Sequence, residues 1–285
     1  MDQIPYEFAL RVLTKLQESD LPLLSEAPIW AEAIRVYTQK CRDLTIEFTI
    51  SPSGLSYVIR CPDKDVGTAF LTMAEAAALD HRFTQVALFT VVKSSSDPKN
   101  PAKVDDLPGF MRFISGSTVT SVNLLCAVPA VVDEWLISGP QTRKLAIEYF
   151  AGAENFVKNQ LKFEELQRLT LIDKWPSDFS AALEAFVCRP QFGYLECDYN
   201  CMGGMESLKR IVAYWMQLSI PWKSSRIKLN TDGNLQDQFA LWLPRSSQYS
   251  VYDTFEGKNQ TAHLKVTCDR SCSIMYFCID RYVLR

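Results

Sequence analysis

The chain has 285 residues, 47% of them hydrophobic and 22% charged, which are the proportions of a folded protein with a real core and not of a disordered or fibrous one. With 30 Lys and Arg against 33 Asp and Glu, the net charge of -3 supplies no general pull toward phosphate backbones or anionic membranes, so nucleic acid and membrane partners are disfavoured. The longest apolar run, Val122 to Val132, falls short of the roughly 20 residues a membrane span needs and contains Pro129.

The N-terminus carries an early acid and no basic-then-apolar leader, so the expected compartment is the cytosol or the nucleus. Nine cysteines scattered among apolar neighbours then read as reduced, buried thiols. Three short helices are predicted in the first forty-odd residues. Pro5 suits a first turn, and Phe8, Val12, Leu13 and Leu16 follow at helical spacing. Asp20 is a candidate cap for a second helix holding Leu21, Leu23 and Leu24, and a third runs from about Ile29 to Gln39, burying Trp30, Ile34 and Tyr37. So small a unit buries too little apolar surface to stand alone.

At Leu44 the period changes from helical to alternating. Thr45 to Ile50 and Leu55 to Arg60 flank Ser51-Pro52-Ser53-Gly54, the pattern of a β-hairpin. Strand cores of the apolar-x-apolar kind recur at Val86/Leu88, Val122/Leu124, Leu169/Leu171, Leu195/Cys197 and Ile227/Leu229. Helical faces lie between them: Phe179, Leu183, Phe186 and Val187 after Ser177 as candidate cap, then Leu208, Ile211, Val212 and Trp215. Strand followed by helix, repeated, predicts a mostly parallel α/β arrangement, as an open sheet or a curved leucine-rich-repeat-like array. Strands at Phe239 to Leu243, Ala262 to Cys268 and Ser273 to Ile279 would make a strand-rich cap. The Ser94 to Pro108 segment reads as an exposed loop.

Signatures of enzymes are missing. No Gly-rich phosphate cradle, nucleophile elbow or zincin motif occurs, and no cofactor is expected. A Cys paired with His81 or His263 is the remaining enzymatic reading. The spacing Cys197-x3-Cys201 with Cys268-x3-Cys272 allows a zinc site in principle, but Cys197 and Cys268 alternate with Leu195 and Val266 as small hydrophobes do. Gly203-Gly204 reads as a strand-to-helix turn in preference to an anion site.

The opening segment resembles an F-box. The residues that carry the likeness are Ile4-Pro5, Phe8, Val12-Leu13, Leu16, Asp20-Leu21, Leu24-Ser25 and Trp30, in the order and spacing of that motif; Ala27-Pro28-Ile29 departs from its usual small polar and basic residues. It looks like the large nematode families of F-box and F-box-like proteins, in which the box precedes a divergent α/β region. The resemblance implies a small N-terminal three-helix box over residues 1–43 and an α/β, repeat-like target-binding domain over 44–285. It implies a non-catalytic substrate receptor, in which Ile4, Pro5, Phe8, Val12, Leu13, Leu16, Leu21, Leu24 and Trp30 dock a Skp-type adaptor and through it a cullin-RING ubiquitin ligase. A protein target would bind at the C-terminal ends of the strands, near Trp175, Tyr199 and Trp222, where Asp173, Asp198 and Asp232 add an acidic fringe. A module that sequesters its target without a ligase is the alternative.

Overall fold

The computed structural model describes residues 6–13, 28–63, 67–80, 82–96, 102–103, 107–115, 117–129, 132, 134, 141–217, 225–231, 245–248, 252–258, 262–269 and 274–281. The predicted second helix with its cap Asp20, the strand at 239–243 and most of the 94–108 loop lie outside them. The fold is mixed α/β, and the chain divides into two compact units, residues 1–142 and 143–285. The expected helical segment 1–43 is a smaller piece within the first.

In the first unit, helices Tyr6–Leu13 and Pro28–Lys40 pack on each other. Neither is long enough to persist alone in water. Ala9, Leu13, Ala33, Tyr37 and Phe83 close a small core of their own, with Trp30, Ile34, Val36 and Cys41 packed around it. Phe83 ties this cluster to the turn before the sheet, and Lys40 and Arg82 lie 5.3 and 5.6 Å from its ring centre.

The hairpin forms where its turn residues place it. β1 (Arg42–Ser51) and β2 (Gly54–Asp63) pair antiparallel, with Ser51 opposite Gly54. β3 (Gly67–Leu71) extends this sheet beyond β2, while β4 (Thr84–Lys93) and then β6 (Thr118–Leu124) extend it in parallel beyond β1; β5 (Ala102–Lys103) also pairs with β2. The core centres on Phe48, whose ring lies 5.7 Å from Phe89 and 6.3 Å from Phe110.

One strand core differs from its sequence pattern. The β1–β4 register slips between Leu44 and Thr45, which face Val86 and Leu88 respectively. The extra residue in β4 turns Phe89 and Val91 inward with Val86 and leaves Leu88 only half-buried.

The second unit runs through β7 (Thr142–Glu148), β8 (Arg168–Ile172), β9 (Tyr194–Asp198) and β10 (Ser225–Asn230), parallel neighbours in chain order. β14 (Ile274–Arg281), β13 (Ala262–Asp269), β12 (Tyr252–Lys258) and β11 (Arg245–Gln248) continue the sheet antiparallel from β10. The strand order never reverses among β7 to β10, so right-handed crossovers put every connecting helix on the same face. Helices Ala153–Gln160, Ser180–Val187 and Gly204–Gln217 fill that face.

Alternation then sorts the side chains. Leu145, Ile147, Leu169, Leu171, Leu195, Cys197, Ile227 and Leu229 are buried beneath the helices. The predicted apolar faces of the second and third helices are buried as expected, and Phe192 joins them, stacked on Trp215 at 5.7 Å. Ser177 is not the cap of the 180–187 helix. A 3-10 turn, Ser177–Phe179, runs straight into it, so the position before the helix is Phe179, in helical geometry with no side chain to accept a bond.

The Gly203-Gly204 pair forms the strand-to-helix turn. Gly203 has φ +71 and ends the 3-10 turn Tyr199–Met202, and a Cβ there would stand 3.0 Å from Ser180 Cβ and 3.1 Å from Ser207 Oγ. Gly203→Ala should therefore cost about 1–3 kcal/mol of the second unit's stability, as left-handed strain and crowding add. Gly152→Ala, at φ +94 with open space around it, carries the backbone cost alone. The check is the difference between the two variants' urea midpoints, with Gly203→Ala the lower.

Candidate functional site

The face of β7 to β10 opposite the helices is polar. Its middle row runs Ala146, Thr170, Glu196 and Lys228, and the last three occupy the central positions of the apolar-x-apolar strand cores. Glu196 accepts a hydrogen bond from the Tyr194 hydroxyl at 2.9 Å and pairs with Lys228 across to β10. Burial, then this bond to a carboxylate, pushes the Tyr194 phenol well above its usual range.

At the C-terminal ends of these strands lies a depression of about 670 Å³, lined by Tyr149, Thr170, Ile172, Asp173, Glu196 and Asp198 among others. Asp173 turns the chain out of β8 in a left-handed conformation, φ 68, which the short Asp side chain tolerates better than most. That turn brings Trp175 back under the sheet end, where its Nε1 donates to Ile172 O at 2.9 Å. Its ring stands edge-on to both Tyr149 and Phe179, each 5.3 Å away. Asp198 accepts from Asn200 N at 2.9 Å and so fixes the turn after β9. Tyr149, 40% exposed, forms the rim, and its hydroxyl donates to Glu154 Oε1 at 2.9 Å. That bond, with the carboxylate's charge, raises the Tyr149 phenol.

Of the three aromatic residues singled out for target contact, Trp175 and Tyr199 follow adjacent parallel strands and reach the same sheet end. Trp175 is 5% exposed and packs that end. Tyr199 is half-buried. Trp222 and Asp232 lie outside the described residues. Tyr149 and Glu196 had no place in the sequence reading, and the available signal was the polar residue inside each apolar-x-apolar triplet.

At the other end of the chain the helix 6–13 carries two apolar stripes. Ala9 and Leu13, four apart, turn into the small core. Phe8 and Val12, also four apart, form an adjacent stripe on which Phe8 is 53% exposed and Val12 half-buried. Trp30, half-buried, packs against the core from the Pro28–Lys40 helix. Ile4, Pro5, Leu16, Leu21 and Leu24 lie outside the described residues.

Thiol chemistry is poorly supported by the geometry. Burial pushes Cys41, Cys188, Cys197 and Cys201 above the usual thiol range, so none is held as a reactive thiolate. Cys201 Sγ donates instead to Trp175 O at 3.5 Å. His263 lies beside Glu256, 3.2 Å from Nε2 to Oε2, within the β12–β13 ladder; His81 and Cys272 lie outside the described residues. No cluster of three or more His, Cys, Asp or Glu that could hold a metal exists among the described residues. In the native protein at neutral pH, Cys197 and Cys201 should resist alkylation by iodoacetamide for as long as the fold persists, and label on unfolding. Peptide mapping of the label checks this, and early labelling of either would contradict their placement.

No helix among the described residues is long and apolar enough to cross a membrane. The chain matches no family model and no curated protein. Among solved structures it aligns with MycE methyltransferase from the mycinamycin biosynthetic pathway, in complex with Mg and SAH, at 12% identity over 99% of this chain and 93% of that one, with a TM-score of 0.21. The same enzyme with Mg, SAH and mycinamycin VI aligns at 11% identity and the same TM-score.

Proposed function

We propose that this chain is a non-catalytic substrate receptor of a Skp-cullin-F-box type ubiquitin ligase. The observation that carries the reading is the second apolar stripe on the first helix. Ala9 and Leu13 turn into the small core, while Phe8 stands beside them 53% exposed and Val12 half-covered. A large aromatic on a short helix facing water is a surface suited to packing against another helix. Together with the F-box-like order of Pro5, Phe8, Leu13, Leu16, Leu21, Leu24 and Trp30, that surface suits a Skp-type adaptor. The polar face of β7 to β10, with all its helices on the other side, suits the target-holding part, in the manner of a leucine-rich-repeat-like array. Work in the cytosol or nucleus goes with such a ligase.

The test is co-expression with a Skp-type adaptor. The full chain should retain the adaptor and a cullin through purification, and residues 43–285 alone should retain neither. Equal retention by the truncated chain would overturn the reading. A target held by a chain that retains no adaptor would mark a sequestering module instead.

A further inference from the structure

We infer that the open face of the second unit carries a docking track for an acidic extended peptide segment. The inference rests on reading this unit as the part that holds a protein target, and it adds the chemistry of the segment held.

Its basis is one row of side chains running across the strands. Register places Lys144 of β7 beside Arg168 of β8, then Tyr194 of β9, then Arg226 of β10. The row continues through Cys278 of β14 to Lys265 of β13. Lys144, Arg168, Arg226 and Lys265 are all exposed, and Arg168 and Arg226 form no ion pair among the described residues. Only Lys144 and Arg168 are direct cross-strand neighbours, and Tyr194 and Cys278 space the other cations apart along the row. Six strands give five steps of about 4.8 Å, a track of roughly 24 Å, the reach of about seven extended residues. Glu256 of β12, opposite Lys265, ends it.

The chemistry favours a peptide over a nucleic acid. The chain is acidic overall, with a pI near 5.6, and two rows away the same face carries the carboxylates Glu148 and Asp198, which would repel a continuous phosphate backbone. Within the row Tyr194 is the one aromatic residue, half-buried with its hydroxyl held by Glu196; the exposed Tyr276 lies one row over, so the basic row itself offers a single ring for base stacking. Discrete carboxylates on an extended chain, spaced to meet Arg forks, fit the row.

The experiment uses the full chain and a fluorescein-labelled peptide rich in Asp and Glu, read by anisotropy, with adaptor capture measured on the same preparations. Wild type should bind saturably and lose affinity with added salt, and Arg168→Glu with Arg226→Glu should lower affinity by roughly tenfold or more. Lys162→Glu, on the helix side, should leave it within about twofold. A matched Lys-rich peptide should not compete. The inference falls if wild type does not bind the acidic peptide, if Lys162→Glu weakens binding as much as the row variants do, or if single-stranded RNA of equal charge binds more tightly. Acidic-peptide binding that survives while adaptor capture fails would condemn the ligase reading and leave the track standing. Adaptor capture without peptide binding would do the reverse.

Discussion

Replacing Trp215 by Ala should cost the second unit about 3–5 kcal/mol, the largest stability loss of any single change proposed for this chain. Trp215 is 1% exposed, its ring stacks on Phe192, and Phe192 in turn meets Phe186 edge-on at 5.2 Å. The indole Nε1 donates to Val187 O at 2.8 Å, the carbonyl at the end of the preceding helix, which has no acceptor role within that helix. Truncation removes an aromatic volume the neighbours cannot refill and leaves a buried carbonyl unsatisfied, so the cavity and desolvation costs add. Trp215→Phe separates the two. It keeps much of the stack and loses only the donor, so it should cost about 1–2 kcal/mol. Urea unfolding followed by far-ultraviolet circular dichroism checks both, with the Ala variant's midpoint lower by about 1 M or more. Equal losses in the two variants would assign the effect to the hydrogen bond alone.

The largest expected loss of binding comes from Phe8→Ala with Val12→Ala. Both belong to the outer stripe of the first helix and not to its small core, so folding should change by well under the cost of a core truncation. A central apolar anchor in a packed interface is worth roughly 2 kcal/mol or more, and the pair should weaken adaptor affinity by at least about 30-fold. Leu13→Ala is the informative contrast. Leu13 is 1% exposed and packed between the helices, so its truncation should lower stability as well as affinity. Calorimetric titration of the adaptor, beside thermal unfolding of each variant, distinguishes an interface residue from a core residue.

Much of the architecture was legible because local chemistry and global pairing agree. Pro52 and Gly54 mark the β1–β2 turn, and the alternation of Leu44, Ile46 and Phe48 fixes which face is buried. The helical faces built on Leu183 and Phe186, and on Ile211 and Trp215, follow from their spacing. What escaped is non-local. The slip opposite Leu44 depends on how β1 and β4 meet, and nothing within β4 announces that Phe89 displaces Leu88 from the core. The division at Thr142 follows Ser138-Gly139-Pro140, a turn signal that marks a break in the chain but does not say that a unit ends there.

At the candidate site the strand ends were legible and the roles were not. Trp175 follows β8 at the strand ends, and whether a Trp there faces solvent or seals a layer depends on Tyr149 and Phe179, which arrive from other segments. The polar row of Thr170, Glu196 and Lys228 sits between conspicuous apolar residues and becomes a surface only once the helices are known to lie together on one side.

The most direct measurement of the central claim is hydrogen exchange of the full chain, alone and saturated with a Skp-type adaptor. Adaptor docking on the outer stripe predicts slowed exchange within 6–13 and 28–40, with β8 and β9 unchanged. Unchanged exchange across both helices, under conditions where the adaptor is shown to be bound, would contradict it.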